Sequence, residues 1–257
     1  MSAVIIIPAR YASTRFPGKP LSMFRGADGT MRTLIEHTWR VAIAVPCVDA
    51  GYVATDDDRI AEACHAFGAS VVITSPDCRN GTERCAEALG KIAENPNVLV
   101  NLQGDAPLTP TWFLSDLISA LEQKRQFEAT TPVLKCGEAT LARLRNDRRQ
   151  GRVGGTTAVF DAQNQALYFS KEVLPFGSGR SFHHVGVYAY RPAALSAYLR
   201  WPEGNLERSE GLEQLRFLEN GSTMLCVEVD ANGREFWEVN NPQDIPMIEK
   251  MLGVQHA

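Results

Sequence analysis

The sequence predicts an α/β protein, a mostly parallel sheet with helices on both faces, and three observations carry that prediction. Val4-Ile5-Ile6-Ile7 is a run of β-branched residues, the composition of a fully buried strand. Through the first half of the chain such strands alternate with amphipathic stretches, the order that builds a parallel sheet. The polar clusters follow the strands, at the carboxyl edge where open parallel sheets bind ligands.

Each element has its own justification. Ala3 to Ile7 is the first strand, and Met31, Leu34, Ile35, Val41 and Ala42 have the spacing of a helix from about Thr30 to Ala44. Gly51 to Ala54 is a short strand, after which Asp56 or Asp57 caps a helix from Asp58 to Phe67 that Gly68 stops. Ser70 to Thr74 is the third strand, and Thr82 is expected to cap a helix reaching about Glu94. Val98 to Leu102 is the fourth strand, and Pro110 opens a helix capped by Thr109. The second half reads as strand-rich: Ala129 to Leu134, Thr156 to Phe160, Ala166 to Tyr168 and Val185 to Tyr190. Pro132 suggests an edge position or a strand end. One helix is predicted over Leu206 to Glu219, with Leu206, Leu212, Leu215 and Leu218 buried, and a last one over Pro242 to Met251. The domain expectation is a single domain over 1–257 with a strand-rich insertion within about 130–200.

Composition narrows the function. The 257 residues, 44% hydrophobic and 22% charged, suffice for a core without disulfides. A net charge of −4 with no long run of one sign argues against nucleic acid and anionic membranes as partners. No apolar stretch approaches the roughly 20 residues that span a bilayer, and Met-Ser-Ala runs straight into a core strand with no signal peptide. Cys47, Cys64, Cys78, Cys85, Cys136 and Cys226 make no Cys-x-x-Cys, so they read as thiols in a reducing cytoplasm and argue against zinc.

The candidate chemistry begins behind the first strand. Arg10, Arg15 and Lys19 lie on one loop shaped by prolines and Gly18, fixed cations of the kind a phosphate group needs. The loop is neither a P-loop, since Pro20 follows Gly18-Lys19, nor a Gly-x-Gly-x-x-Gly turn. Asp105, in Gln103-Gly104-Asp105-Ala106-Pro107 after the fourth strand, suits Mg²⁺, which takes one or two carboxylates plus substrate phosphates; the plainer alternative is a turn aspartate. Gln103 either reads a base or sugar edge or ties down its turn. Arg84, a cation in the first turn of a helix, hints at an anionic ligand. Alternation sets His184, Tyr188 and Tyr190 on one strand face, where a histidine is more often a structural hydrogen-bonder than a ligand. Glu207, Glu210 and Gln214 line one side of their predicted helix, ordinarily a solvated face, with Glu213 beside them.

Taken in order, these motifs resemble the CMP-Kdo synthetases, the 3-deoxy-manno-octulosonate cytidylyltransferases. The likeness runs from Ile5 to about Met251. It rests on the loop Pro8 to Leu21, Ala54-Thr55-Asp56, Gly81-Thr82-Glu83-Arg84, Gln103-Gly104-Asp105-x-Pro107, Ala166 to Ser170, His184-x-Gly186-x-Tyr188-x-Tyr190-Arg191, and Leu206 to Arg216. The resemblance implies a Rossmann-like nucleotidyltransferase fold, a homodimer formed through the strand-rich part, and transfer of CMP from CTP to an acidic sugar with Mg²⁺ and release of pyrophosphate. It implies that Arg10, Ser13, Arg15 and Lys19 hold the triphosphate and that Gln103 and the Pro8-Ala9 backbone place the cytidine. It further implies that Asp105 ligates Mg²⁺ and that Arg84, His184, Tyr188, Glu213 and Gln214 line the acceptor pocket. Arg10, Lys19 and Asp105 would be the catalytic groups.

Three positions depart from the family pattern. Glu238-Val239-Asn240-Asn241-Pro242 stands where the family reads Gly-Val-Asp-Thr-Pro, so Asn240 replaces a second metal-binding aspartate with a neutral amide oxygen. Thr157 replaces a lysine, and Ala106 a glutamate. The intact phosphate loop points to a changed acceptor, such as an amino-modified Kdo, another nonulosonate-like acid or a phosphonate. The rival expectation is a CTP-binding regulator impaired through Asn240.

Overall fold

The structure is a computed structural model that describes residues 2–13, 16–151, 155–177, 180–234 and 237–254. The chain divides into two compact units, one running to Ser115 and resuming at Ala231, the other covering Asp116–Asp230.

The first unit opens on β1 (Ala3–Ala9), every residue of which is buried. Burial of each isoleucine there is worth about 1.5–3 kcal/mol. The predicted helix from Thr30 starts later than its periodicity implies, because the chain first makes a hairpin, β2 (Met23–Arg25) against β3 (Met31–Thr33). Thr33 then caps α1 (Leu34–Ile43) by accepting from the Glu36 N–H at 3.2 Å. β4 (Ala50–Thr55) leads to α2 (Asp58–Ala66), capped by Asp57. β5 (Val71–Ile73) leads to α3 (Gly81–Leu89). Asn80, not Thr82, caps α3, since its amide oxygen accepts from Glu83 N–H at 2.8 Å; Gly90 ends the helix short of Glu94. β6 (Val98–Leu102) follows as predicted, and α4 covers Thr111–Gln123. Thr109 turns its hydroxyl back to the Ala106 carbonyl. The order β5-β4-β1-β6 is parallel throughout, so the loops after these strands share one edge.

The second unit holds β7 (Ala129–Lys135), α5 (Glu138–Arg149), β8 (Thr156–Phe160), β9 (Ala166–Ser170), β10 (Phe182–His184) and β11 (Val187–Tyr190). It continues with α6 (Pro192–Tyr198), α7 (Asn205–Glu210), α8 (Leu215–Glu219) and β12 (Met224–Glu228). Pro132 does not mark an edge: β7 carries β12 in parallel on one side and β10 and β11 antiparallel on the other. Its missing N–H faces the break between β10 and β11, where Val185 N–H donates to the Pro132 carbonyl at 3.1 Å. The strand expected over Val185 to Tyr190 therefore begins only at Val187, with β10 ahead of it.

The helix predicted over Leu206 to Glu219 is two helices. Gly211 takes a left-handed φ of 61° and stops α7. The buried positions change with it: Leu206 is exposed, and Glu207 is buried in a bidentate pair with Arg216, both contacts 2.6 Å. The Arg216 guanidinium also sits 4.1 Å from the Tyr198 ring centroid. A buried charge is tolerated only with such pairing, and this pair fixes how α7 meets α8. The supposed solvated face is thus partly a core contact.

The last helix, α9 (Asp244–Met251), belongs to the first unit. Ile248 and Val239 join Phe24 and Leu34 in one core cluster, with Trp237 and Ile245 packed against it. This cluster holds the segment preceding α9 in place.

Candidate active site

At the carboxyl edge of the first unit, β1 ends on buried Pro8 and Ala9, and Arg10 is exposed with no ion pair among the described residues. The following loop is closed by Gly18 N–H donating to the Tyr11 carbonyl at 3.0 Å. Gly18 has φ 70°, and a Cβ there would lie 3.1 Å from the Tyr11 ring, so glycine meets both demands. Tyr11 in turn lies 3.3 Å under the Arg59 guanidinium. Ser13 is partly buried on this loop; Arg15 falls outside the described residues.

Lys19 follows at the start of a short 3-10 turn, Lys19–Leu21. Its ammonium donates to Asp105 Oδ2 at 2.5 Å and to the Val239 carbonyl at 2.9 Å. Val239 N–H donates to the Asp105 carbonyl at 2.9 Å. The loop after β6 is therefore tied both to the basic loop and to the segment before α9. Gly104 permits this approach, since a Cβ there would stand 2.9 Å from the Pro8 carbonyl oxygen. The Thr38 hydroxyl donates to the Gly104 carbonyl at 3.1 Å from α1. Gln103 lies against Gly81, where a Cβ would meet its Nε2 at 2.8 Å, and donates to Asn101 Oδ1 at 3.2 Å. Asn101 Nδ2 is buried without a hydrogen-bond partner among the described residues.

Pro8, Ala9, Lys19, Gln103 and Asp105 are thus brought together, with Asn240 one residue from Val239. Asn240 and Asn241 both donate their backbone N–H to Asp244 Oδ2, at 2.8 and 2.7 Å. Sequence reasoning passed over Glu238, on the other side of Val239. Its carboxyl is pushed up to about 7, first by burial and then by the charge of Asp105, against the opposing pull of Lys19. The available signal was the departure from the family pattern at residues 238–241, of which only Asn240 was weighed.

Arg84 is buried, with its guanidinium 2.5 Å from Thr74 Oγ1 and 3.1 Å from Asp56 Oδ1. The anion that its unfavourable helix position calls for is, in this structure, the carboxylate of Asp56 at the end of β4.

In the second unit His184 and Tyr188 are neighbours, ring centroids 5.6 Å apart, and Tyr188 stacks toward Tyr190 at 5.7 Å. His184 Nε2 is 2.9 Å from Thr131 Oγ1. Burial pushes the imidazole down to about 3, with a smaller contribution from His183. The folded state thus binds fewer protons than the unfolded state between pH 3 and the ordinary histidine value of about 6.5. Stability is full above that value and is lost as pH falls, at up to about 1.4 kcal/mol per pH unit. Urea unfolding should show a falling midpoint from pH 7 to pH 5, and His184→Gln should flatten part of that slope; an unchanged slope in the variant would remove His184 as its source.

Glu210 accepts from Ser170 Oγ at 2.7 Å and from Lys171 N–H at 2.8 Å, locking the end of α7 to β9. Glu213 and Gln214 lie between α7 and α8, and Gln214 Nε2 is buried without a hydrogen-bond partner among the described residues. Thr157, where a lysine was looked for, holds the turn after β9: its hydroxyl donates to the Glu172 carbonyl at 2.6 Å and accepts from Leu174 N–H at 3.1 Å.

A parallel sheet whose carboxyl edge gathers a lysine, an aspartate and exposed Arg10 is the arrangement expected of an α/β nucleotidyltransferase. The family model described as cytidylyltransferase matches residues 4–225. The 3-deoxy-manno-octulosonate cytidylyltransferase of Maricaulis maris is 41% identical, over 99% of this chain and 98% of its own. The 8-amino-3,8-dideoxy-manno-octulosonate cytidylyltransferase of Shewanella frigidimarina is 38% identical, over 99% of this chain and 100% of its own. A CMP:2-keto-3-deoxy-manno-octonic acid synthetase solved in complex with CTP is 31% identical, covers 98% of this chain and 99% of its own, and superposes with a TM-score of 0.85. The chain belongs to the cytidylyltransferase family. Among the described residues, no helix is long and apolar enough to cross a membrane.

Proposed function

We propose that the protein transfers CMP from CTP to 3-deoxy-manno-octulosonate or its 8-amino analogue and releases pyrophosphate. The observation that carries this reading is the meeting of Lys19 with Asp105 at the carboxyl edge of the parallel sheet, in a chain that matches a CTP-bound synthetase over nearly its whole length. The 8-amino acceptor stays in the proposal because several relatives of that name match over full length.

Arg10, Ser13, Arg15 and Lys19 would hold the triphosphate, and Gln103 with the Pro8-Ala9 backbone would place the cytidine. The acceptor's anomeric hydroxyl attacks the α-phosphorus, a new O–P bond forms, and the bond to the β-phosphate oxygen breaks. This is chiefly positioning and charge neutralisation. An anionic acceptor approaching a polyanion is repelled, and the ammonium of Lys19 and the guanidinium of Arg10 offset that repulsion. Arg84, His184, Tyr188, Glu213 and Gln214 are proposed for the acceptor. Gln214 has the best local support, a buried amide whose donors are not used up within its own unit.

The oxygen donors near Lys19 fit Mg²⁺. Such an ion completes its shell with water and substrate phosphates and needs only one or two protein carboxylates. Asp105 would hold it, with Asn240 as the second position that the resemblance implies. When bound, Mg²⁺ neutralises phosphate charge and makes the attacking hydroxyl more acidic. A cytoplasmic homodimer completes the reading, on the likeness to the family.

The test is incubation with CTP, Mg²⁺ and a panel of acid sugars, with pyrophosphate release followed. Kdo or amino-Kdo should give the fastest release. Turnover only with phosphonates would move the acceptor, and CTP binding without turnover on any acceptor would favour a regulator.

A further inference from the structure

The basic loop behind β1 carries Arg10 near one end and Lys19 at the other. Tyr11 follows Arg10 in the chain and Gly18 precedes Lys19, and these two neighbours meet. Gly18 N–H donates to the Tyr11 carbonyl at 3.0 Å. The Tyr11 ring lies so close to Gly18 that a Cβ there would stand 3.1 Å from it. On the same ring lies the Arg59 guanidinium, its Cζ 3.3 Å from the centroid, well inside the roughly 6 Å over which a ring face attracts a cation.

Arg59 is itself held. Its Nε and Nη2 donate to the two carboxylate oxygens of Asp57 at 3.0 and 2.6 Å, a fork that sets the plane of the guanidinium. Asp57 caps α2 by accepting from Arg59 N–H at 3.0 Å, so the fork is anchored in the first turn of a regular helix. α2 also packs beside the Lys19–Leu21 turn. The stack thus ties the residues next to Arg10 and Lys19 to α2.

We propose that Arg59 is a positioning residue for the triphosphate, a role that rests on the cytidylyltransferase reading. Through the face of Tyr11 it holds the two chain ends that carry Arg10 and Lys19 in place before CTP arrives. A loop left free would spend part of the binding energy of CTP on becoming ordered, and a loop already clamped does not. Arginine suits the task because its flat guanidinium lies on a ring and meets a carboxylate with two bonds at once, which an ammonium cannot do. The charge of Arg59 is already met by Asp57, so what it adds is geometry.

CTP affinity by calorimetry, with Mg²⁺ and no acceptor, reads this role. Arg59→Ala and Arg59→Lys should both weaken CTP by about two- to fivefold, the loss that one exposed cation–π contact corresponds to, since lysine keeps the charge and loses the flat stack. Tyr11→Leu should match them, and Tyr11→Phe, which keeps the ring, should bind as the wild type does. The double variant Arg59→Ala with Tyr11→Leu should bind no more weakly than the worse single variant, because the shared contact is lost only once. Tm should fall by no more than about 2–4 °C in the Arg59 variants, because the Asp57 cap uses the backbone N–H of residue 59. Wild-type affinity in Arg59→Ala, or full rescue by Arg59→Lys, overturns the proposal and leaves the cytidylyltransferase reading standing. A loss of affinity that comes only with a large fall in Tm also overturns it, and makes Arg59 a strut of the fold. If the wild type does not bind CTP, the cytidylyltransferase reading falls and the role of Arg59 with it.

Discussion

Lys19→Ala should lower kcat/KM for CTP by about 100- to 1000-fold, the scale expected when one preorganised positive group is taken from developing phosphate charge. The effect should appear in pyrophosphate release at saturating acceptor and in CTP affinity by calorimetry. The same side chain has a structural duty, because its ammonium joins Asp105 and the Val239 carbonyl across a long stretch of chain. Its loss leaves the negative charges of Asp105 and Glu238, which act on each other, with less compensation. A partly exposed pair of this kind is worth about 1 kcal/mol, which for a chain of this length lowers Tm by about 2–4 °C. The two duties separate cleanly: a rate loss of hundreds-fold with a small shift in Tm marks a phosphate-binding lysine. A large fall in Tm with near-normal turnover of the remaining folded protein would make Lys19 a strut and nothing more.

The parts of this molecule that were legible in its sequence are those decided locally or by a shared edge. β1 and β6 announce themselves through β-branched runs, and the Asp57 cap of α2 is a matter of a few neighbouring residues. The approach of Lys19 to Asp105 was legible for another reason. Strands of a parallel sheet deliver their following loops to one side, so residues far apart in sequence were bound to share it. Glu207 was not legible, because helical spacing places it on an outer face only if the helix continues, and Gly211 ends it. Arg216 then reaches Glu207 from the next helix, a contact no periodicity contains. Pro132 misled because a strand interior accepts proline where its partner strand is itself broken. The meeting of Val239 with Asp105 was hidden by distance: Val239 packs with Ile248 against Phe24 and Leu34, and its N–H reaches the Asp105 carbonyl.

Asp105→Asn tests the other half of the pair and should be the more damaging change to catalysis. The substitution is nearly isosteric, so the turn from Gln103 to Thr109 and the backbone bond from Val239 N–H to the residue 105 carbonyl remain. Removal of the charge costs Lys19 its ion pair but also relieves the repulsion felt by Glu238, so the net change in stability should stay within about 1 kcal/mol. Turnover has no such offset. Groups that merely orient a metal's ligands cost about 10- to 100-fold when removed, so loss of a direct carboxylate should exceed about 100-fold. It should appear mainly in kcat, with the residual rate climbing as Mg²⁺ is raised. Comparison with Lys19→Ala sharpens the assignment. If Lys19 and Asp105 act as one unit on a single triphosphate, the double variant should be scarcely slower than the worse single variant. Fully multiplicative losses would mean that the two groups act at separate places, and unchanged kinetics in Asp105→Asn would take the carboxylate out of the site altogether.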